Sequence, residues 1–311
     1  MKLIILGNGF DLHHKFKTSF YDFRKYLMDS KNKKDKILMS EIDSLLDING
    51  NIQKEHLLWN DFEAIIGEIL GTAKYKRSKI KNIPNLIEDF TQNFYEYLLK
   101  ISEDDRIESN KKLALEFKDA SAILTFNYTS IYSAYINKSD VDIFHIHGNL
   151  SDKDLPIIGY YYPNVSENIT SNDYSIRFKK KLVHKPALAY KQNEIDLNNR
   201  IDKFVKKWKN KITEIVIIGY SFGESDSHIY KIINSIMVEQ IKDNNVPFSL
   251  AKNINAIKFT IYSYNDDESM KLINKIKSNI SKFGRKTSIN ITGVGFASKE
   301  KELLSFELKK Y

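Results

Sequence analysis

The sequence predicts an α/β protein with a Rossmann-like parallel sheet, helices on both faces of the sheet and a helical insertion after the first βα unit. Two observations carry this prediction. Short, wholly apolar runs, typical of strands buried on both faces, recur along the chain. Segments with apolar residues at helical spacing separate these runs, and strands that alternate with helices indicate a parallel sheet.

Composition limits the class of protein. Of the 311 residues, 42% are hydrophobic and none is Cys, which excludes disulfides, a thiol nucleophile and Cys-ligated metals. No apolar run approaches the roughly 18 residues of a membrane span, and the first apolar segment is too short for a signal peptide, so we expect a cytoplasmic protein without a membrane partner. The net charge of +8 comes almost entirely from scattered Lys, which does not favour a dedicated nucleic-acid surface.

The chain is predicted to open with a strand, a glycine turn and a helix. Residues 3–6 form an apolar run, and the turn from Gly7 through Asn8 to Gly9 ends it where Gly allows a close backbone approach. A capping box predicts a helix that begins at Phe20. Backbone N–H groups at such a turn face a bound phosphate, so the turn is a candidate nucleotide site together with Asn8, Phe10 and Asp11. The dinucleotide fingerprint lacks its third Gly, and a plain turn remains the alternative.

Residues 34–118 are predicted to be almost entirely helical and to form an insertion in a single domain of residues 1–311. Apolar stripes at helical spacing run from Trp59 to Leu70 and from Ile87 to Ile101. Later strands are predicted at residues 122–126, 141–146, 155–160, 215–218, 257–262 and 288–291. Helices are expected between them, including one over 197–208 and one from about residue 226, and a last helix is predicted to end the chain.

Polar residues gather where the predicted strands end. In an open parallel sheet, ligands bind beyond the carboxyl ends of the strands. Each cluster is explicable as turn chemistry, but four clusters at one edge predict a single site. The candidates after the later strands are Thr125, Asn127, His147, Gly219, Ser221, Phe222 and Asp226.

Two other chemistries fit parts of this pattern. Gly219, Ser221 and Gly223 have the spacing of a hydrolase nucleophile elbow. The one later His, His228, lies on the helix that follows at once, which argues against a serine hydrolase.

A second alternative is a metal-dependent phosphoesterase or nuclease. It would use His145 and His147 as ligands, with Asp11 and Asp226 beside them. Because His147 already lies in the turn, shared ligation is not favoured, and we expect no metal.

Five blocks follow one another in a fixed order: Ile5 to Leu12, Trp59 to Glu63, Leu124 to Thr129, His145 to Gly148 and Ile218 to Asp226. In this order they resemble the AbiH family of bacterial abortive-infection proteins, which protect cells against bacteriophage. One departure is Tyr220, which stands where the family most often has His.

More remotely, the same order is similar to sirtuin-like NAD-binding domains. This similarity implies NAD as substrate or ligand, with Asn127 on the ribose side and His147 as the catalytic His. It implies that Gly7 and Gly9 form the pyrophosphate turn and that Ser221 lies in the adenosine-side loop. The sirtuin zinc module is absent because there is no Cys. This absence puts protein deacylation in doubt and leaves NAD cleavage.

The residue types suit that cleavage. Nicotinamide leaves from a cationic nitrogen without a strong acid, so the site must position the ribose and activate water. His147 would act as base, Asn127 would hold a ribose hydroxyl or the water, and Asp11 would steady the ribosyl cation. The alternative is a non-catalytic, nucleotide-gated sensor of phage nucleic acid or protein. Partners consistent with these interpretations are a nucleotide ligand, a phage-derived trigger and a second copy of the chain.

Overall fold

A computed structural model describes a large part of the chain. The described residues are 1–47, 62–63, 83–102, 110–137, 140–150, 156, 201–209, 211–223, 229–230, 232–233, 235, 257–263 and 270–276, and the backbone of strand 304–310.

The named elements are an initial strand, then five helices, then five further strands, with a 3-10 helix after the first of these five. Residues 201–208 and 270–276 are helical as well. In chain order the elements are β1 (Lys2–Leu6), α1 (Asn8–His13), α2 (Phe20–Asp29), α3 (Lys33–Leu46), α4 (Ile83–Ser102), α5 (Lys111–Lys118), β2 (Ala120–Thr125), a 3-10 helix (Ile131–Tyr135), β3 (Asp142–His145), β4 (Glu214–Ile218), β5 (Ile257–Ser263) and β6 (Leu304–Lys310).

Six parallel strands form one sheet in the order β3-β2-β1-β4-β5-β6. This is the strand order of doubly wound dinucleotide-binding folds, in which the order reverses between β1 and β4. At the end of β1, Leu6 pairs with Thr125 on one side and with Ile218 on the other. The prediction of a Rossmann-like parallel sheet is confirmed.

Both faces of the sheet are covered, which explains the unbroken apolar strands. Successive side chains of a strand point to opposite faces. Leu3 and Ile5 pack on one face with Phe204 and Trp208 from residues 201–208. On the other face, Ile4 and Leu6 pack with Leu113 and Phe117 of α5.

The helices α2, α3 and α4 have a hydrophobic cluster of their own, which includes Phe20, Phe23, Phe62, Phe90 and Phe94. The predicted cap of α2 is confirmed, because Ser19 Oγ accepts a hydrogen bond from the backbone N–H of Asp22 at 3.0 Å. Three helices of the predicted insertion are present where the structure describes it. Trp59 lies outside the described residues.

Two expectations need correction. A short helix, α1, begins at Asn8 inside the glycine motif, where a turn was predicted, and the helix predicted to begin at Phe20 is present as α2. The chain also ends in a strand, β6, which pairs in parallel with β5 where a helix was predicted. The alternation of apolar Leu304, Phe306 and Leu308 with polar residues is a strand pattern of period two that the helical interpretation overlooked.

The strand predicted at 288–291 lies outside the described residues, as does the strand predicted at 155–160 except for Pro156. Among the residues that the structure describes, no helix has both the length and the apolar character needed to cross a membrane.

Candidate functional site

A buried carboxylate, Asp11, lies in the middle of α1 just beyond the carboxyl end of β1. Its side chain is 1% exposed. Oδ1 accepts a hydrogen bond from Asn127 Nδ2 at 2.6 Å, and Oδ2 accepts one from the Thr129 hydroxyl, also at 2.6 Å. The ends of β1 and β2 are thus joined by polar side chains that are screened from solvent.

Burial changes the ionisation of Asp11. Loss of solvent around the carboxylate raises its pKa from the ordinary 3.8 to about 7, although the hydrogen bonds from Thr129 and Asn127 act in the opposite direction. The carboxyl group of Asp11 therefore changes between its protonated and ionised forms near neutral pH. A strongly shifted carboxyl at the ligand-binding edge of a parallel sheet is a feature typical of functional sites.

Asn127 is fixed at both its backbone and its side chain. The backbone N–H donates to the Thr125 hydroxyl at 3.1 Å, and the side chain is 3% exposed. Within the described part of the chain, Oδ1 of Asn127 has no hydrogen-bond partner. A buried polar atom without a partner costs about 1–3 kcal/mol, so its presence calls for a functional explanation.

His147 follows β3 at the same edge. The backbone N–H of Ile146 donates to the carbonyl oxygen of Thr125 at 3.0 Å, which keeps the ends of β2 and β3 together. His147 is 5% exposed, and its ring lies 5.4 Å from the ring of Phe126 and 5.6 Å from that of Tyr128, measured between centroids. These are the residues on either side of Asn127, so the structure brings the two predicted catalytic side chains to one edge.

His145 has different surroundings. Its Nε2 lies 2.6 Å from the Tyr132 hydroxyl, so it contacts the 3-10 helix. In the ranges that the structure describes, no group of three or more His, Cys, Asp or Glu side chains could hold a metal ion.

The glycines of the first turn pack against the turn after β4. The N–H of Gly7 donates to the carbonyl of Ile218 at 3.1 Å, and that of Gly9 donates to the carbonyl of Gly219 at 2.8 Å. A Cβ on Gly219, whose φ is +60°, would lie 2.2 Å from the nitrogen of Phe10. Close packing therefore requires Gly here independently of any ligand, and the contact with a pyrophosphate remains a prediction.

The other residues that were predicted to contact a nucleotide lie in different surroundings. Asn8 is bound to Thr18, since its Oδ1 accepts from the Thr18 hydroxyl at 2.6 Å. Phe10 and Phe222 are buried in the hydrophobic clusters, and Ser221 is exposed. Asp226 lies outside the described residues.

Aromatic contacts connect this edge to the rest of the molecule. The Tyr220 ring lies 4.3 Å from that of Phe126, which brings the turn after β4 to the end of β2. On the opposite side, the Tyr128 ring lies 5.3 Å from Phe94 of α4, so the helical insertion reaches the site.

Sequence reasoning missed Thr129 and Tyr128 as site residues. The spacing of Asn127 and Thr129, two residues apart just after a strand, was the available signal for Thr129.

Comparison with known proteins agrees with the motif pattern. The family model described as bacteriophage abortive infection AbiH matches residues 3–76 and 70–246, which together span more than half of the chain. The matched segments contain every candidate residue described above. No curated protein matches the chain.

Proposed function

The chain belongs to the AbiH family of bacteriophage abortive-infection proteins, and we propose that it serves that defence by hydrolysing NAD or a related nucleotide at the N-ribosyl bond. One observation carries the proposal: the buried Oδ1 of Asn127 lacks a partner in the described residues, at the edge of the sheet that also holds His147. A ligand hydroxyl or a water molecule would supply the missing hydrogen bond.

The strand order supports a nucleotide as the ligand. An open sheet in the order β3-β2-β1-β4-β5-β6 is the arrangement that binds dinucleotides at its carboxyl edge. Asp11, Asn127 and His147 all lie at that edge, on the side of β1, β2 and β3. The packed turns of Gly9 and Gly219 fill the neighbouring position between β1 and β4. We therefore assign the ribosyl end of the nucleotide to the side of β2 and β3.

The proposed reaction breaks the bond between ribose C1′ and the pyridinium nitrogen, and the bond electrons leave with neutral nicotinamide. Water adds to C1′, and His147 accepts its proton, which yields ADP-ribose when the substrate is NAD. Asn127 Oδ1 would accept a hydrogen bond from a ribose hydroxyl or from that water. General-base action of this kind contributes about 10²–10⁴-fold to the rate. The burial of Asp11, Asn127 and His147 keeps other water molecules from the reacting atoms.

The decisive experiment compares wild type with His147→Gln. Purified protein is incubated with NAD, and nicotinamide and ADP-ribose are separated by chromatography. In parallel, NAD is measured in phage-infected cells that carry either form. We expect wild type to release nicotinamide, in vitro or upon infection, and the variant to release none.

The outcome also distinguishes the proposed hydrolase from the main alternative, a non-catalytic sensor that binds a nucleotide. If wild type binds NAD by calorimetry but leaves it intact in both assays, the hydrolase is refuted and the nucleotide-gated sensor is favoured. If it neither binds nor depletes NAD, the choice of nucleotide is wrong.

A further inference from the structure

We propose that Asp11 and Thr129 are positioning residues that hold the Asn127 amide with its oxygen toward the ligand, so that the site selects a hydrogen-bond donor such as a ribose hydroxyl or water. The identity of this ligand rests on the proposed function, whereas the orientation of the amide rests on the contacts alone.

The direction of the amide follows from the chemistry of its partners. An ionised carboxylate accepts hydrogen bonds and does not donate them. Once Asp11 has lost its proton, above about pH 7, the group that Asn127 turns toward it must therefore be its NH2. The observed contact joins Nδ2 to Asp11 Oδ1 at 2.6 Å. Because oxygen and nitrogen lie on opposite sides of the amide, Oδ1 is forced to face away from Asp11. That oxygen is the buried atom that has no partner in the described residues.

Thr129 fixes the carboxylate in turn. Its hydroxyl donates to Asp11 Oδ2 at 2.6 Å, and its side chain is 1% exposed. With one oxygen bound to Thr129 and the other to Asn127, the carboxyl plane cannot rotate without breaking a buried hydrogen bond. The bond from the Asn127 backbone N–H to Thr125 Oγ1 at 3.1 Å holds the main chain at the same time.

This geometry gives Asp11 an indirect role. Both of its oxygens are bound to protein donors, and only 1% of the residue is exposed. Direct stabilisation of a ribosyl cation, which the sequence led us to expect, would require an oxygen that faces the substrate. We therefore assign the contact with the ligand to Asn127 and the control of its orientation to Asp11 and Thr129.

The oriented amide predicts a preference among ligand groups. A hydroxyl or water can donate to the fixed oxygen, whereas a carbonyl or phosphate oxygen at the same place would face another acceptor and be disfavoured. The ribose hydroxyls of a nucleotide satisfy this requirement.

The experiment compares Thr129→Val with Thr129→Ser. Val keeps the shape but removes the hydroxyl, and Ser restores the hydroxyl. Thr260→Val is the matched control, because Thr260 is equally buried, lies on β5, and its Oγ1 has no partner among the described residues. We expect kcat/KM for nicotinamide release to fall about tenfold in Thr129→Val, a value typical of one lost buried hydrogen bond, and to recover in Thr129→Ser.

A merely structural role predicts a different pattern. Activity would then follow thermal stability across all three variants, and Thr129→Ser would gain nothing beyond its gain in stability. Equal activity of Thr129→Val and wild type, or an equal loss in Thr260→Val, would overturn the proposal.

A second measurement does not depend on NAD. In protein labelled with ¹⁵N-asparagine, the side-chain NH2 signals of Asn127 are assigned by their absence in Asn127→Ala. We expect slow hydrogen exchange of these protons in wild type and Thr129→Ser, and fast exchange in Thr129→Val. Fast exchange in wild type would refute the oriented amide. If wild type fails to cleave NAD but shows the slow signals, the proposed function fails while the positioning role stands.

Discussion

The backbone nitrogen of Gly9 lies 2.8 Å from the carbonyl oxygen of Gly219, so the turn after β1 is hydrogen-bonded to the turn after β4. These are the two strands between which the order of the sheet reverses. In dinucleotide-binding folds the cofactor lies in the crevice at this place. Here the protein brings backbone against backbone, since a Cβ on Gly9 would lie 2.8 Å from Cα of Gly219.

Gly219→Ala is the sharpest test of this contact. The residue has a φ of +60°, and the added Cβ would meet backbone atoms of Gly9 and Phe10 at 2.4 Å and 2.2 Å. Backbone strain of this kind costs about 1–3 kcal/mol before the clash is counted. We expect a clear fall in the urea midpoint of unfolding.

Ser221→Ala is the matched control, because Ser221 is exposed in the same turn. It should unfold at nearly the wild-type urea concentration. An unchanged midpoint in Gly219→Ala would show that the two turns are not packed as described. Substitution of Gly9 cannot test phosphate binding by itself, since it would disturb the same contact.

The sheet could be predicted from the sequence because its inner strands are apolar on both faces. The runs at residues 3–6 and 215–218 fall within β1 and β4, which differ from the predictions by one residue at the start. β6 escaped prediction because it alternates apolar and polar residues among many charges, which is a weaker signal than an apolar run.

The site was predictable only in part. The rule that ligands bind beyond strand ends predicted Asp11, Asn127 and His147 at one edge of the sheet. In the structure these residues follow β1, β2 and β3, and their role in a site stays a prediction. The hydrogen bond between Asp11 and Asn127 joins residues 116 positions apart, and no local pattern encodes such a pairing. The packing of Gly9 on Gly219 could not be predicted for the same reason. A Gly turn has the same sequence pattern whether it contacts a phosphate or another stretch of backbone.

The two buried histidines near β3 provide a matched pair of mutations. We expect His147→Gln to abolish nicotinamide release with little change in melting temperature, because Gln keeps polar groups at the site but cannot serve as a base near neutral pH. Asn127→Ala is less suited to this test, since removal of the amide would leave Asp11 Oδ1 without its donor and destabilise the fold.

His145→Gln should give the reverse result. His145 is 7% exposed and bound to the Tyr132 hydroxyl at 2.6 Å, so its loss should lower the melting temperature and leave turnover of the folded protein intact. Loss of turnover in His145→Gln, with full activity in His147→Gln, would contradict the assignment of His147.

Metal dependence separates hydrolysis by imidazole from the metallohydrolase alternative. We expect nicotinamide release to survive treatment with a chelator, because His145 is bound to Tyr132 while His147 lies between Phe126 and Tyr128. Elemental analysis of the purified protein should show no stoichiometric transition metal. One tightly bound ion per chain, released together with activity in either His variant, would favour the metallohydrolase.

The buried Asp11 carboxyl gives a pH prediction with a definite sign. Its pKa is raised from 3.8 to about 7 in the folded protein by burial. Between these values the folded chain retains a proton that the unfolded chain has released. The contribution of Asp11 to the free energy of unfolding therefore falls as pH rises from about 4 to about 7, and is constant above that range.

Asp11→Asn removes this titration and keeps a side chain of nearly the same shape. The difference in free energy of unfolding between variant and wild type should thus shift in favour of the variant as pH rises through the same window, by an amount on the order of a few kcal/mol. Urea titrations across the range measure this difference directly. The exposed Asp29 at the end of α2 supplies the control Asp29→Asn, which leaves the buried carboxyl in place and should follow the wild-type profile. Parallel profiles for Asp11→Asn and wild type would mean that Asp11 is ionised throughout the window, which would require more solvent or positive charge around it than the structure shows.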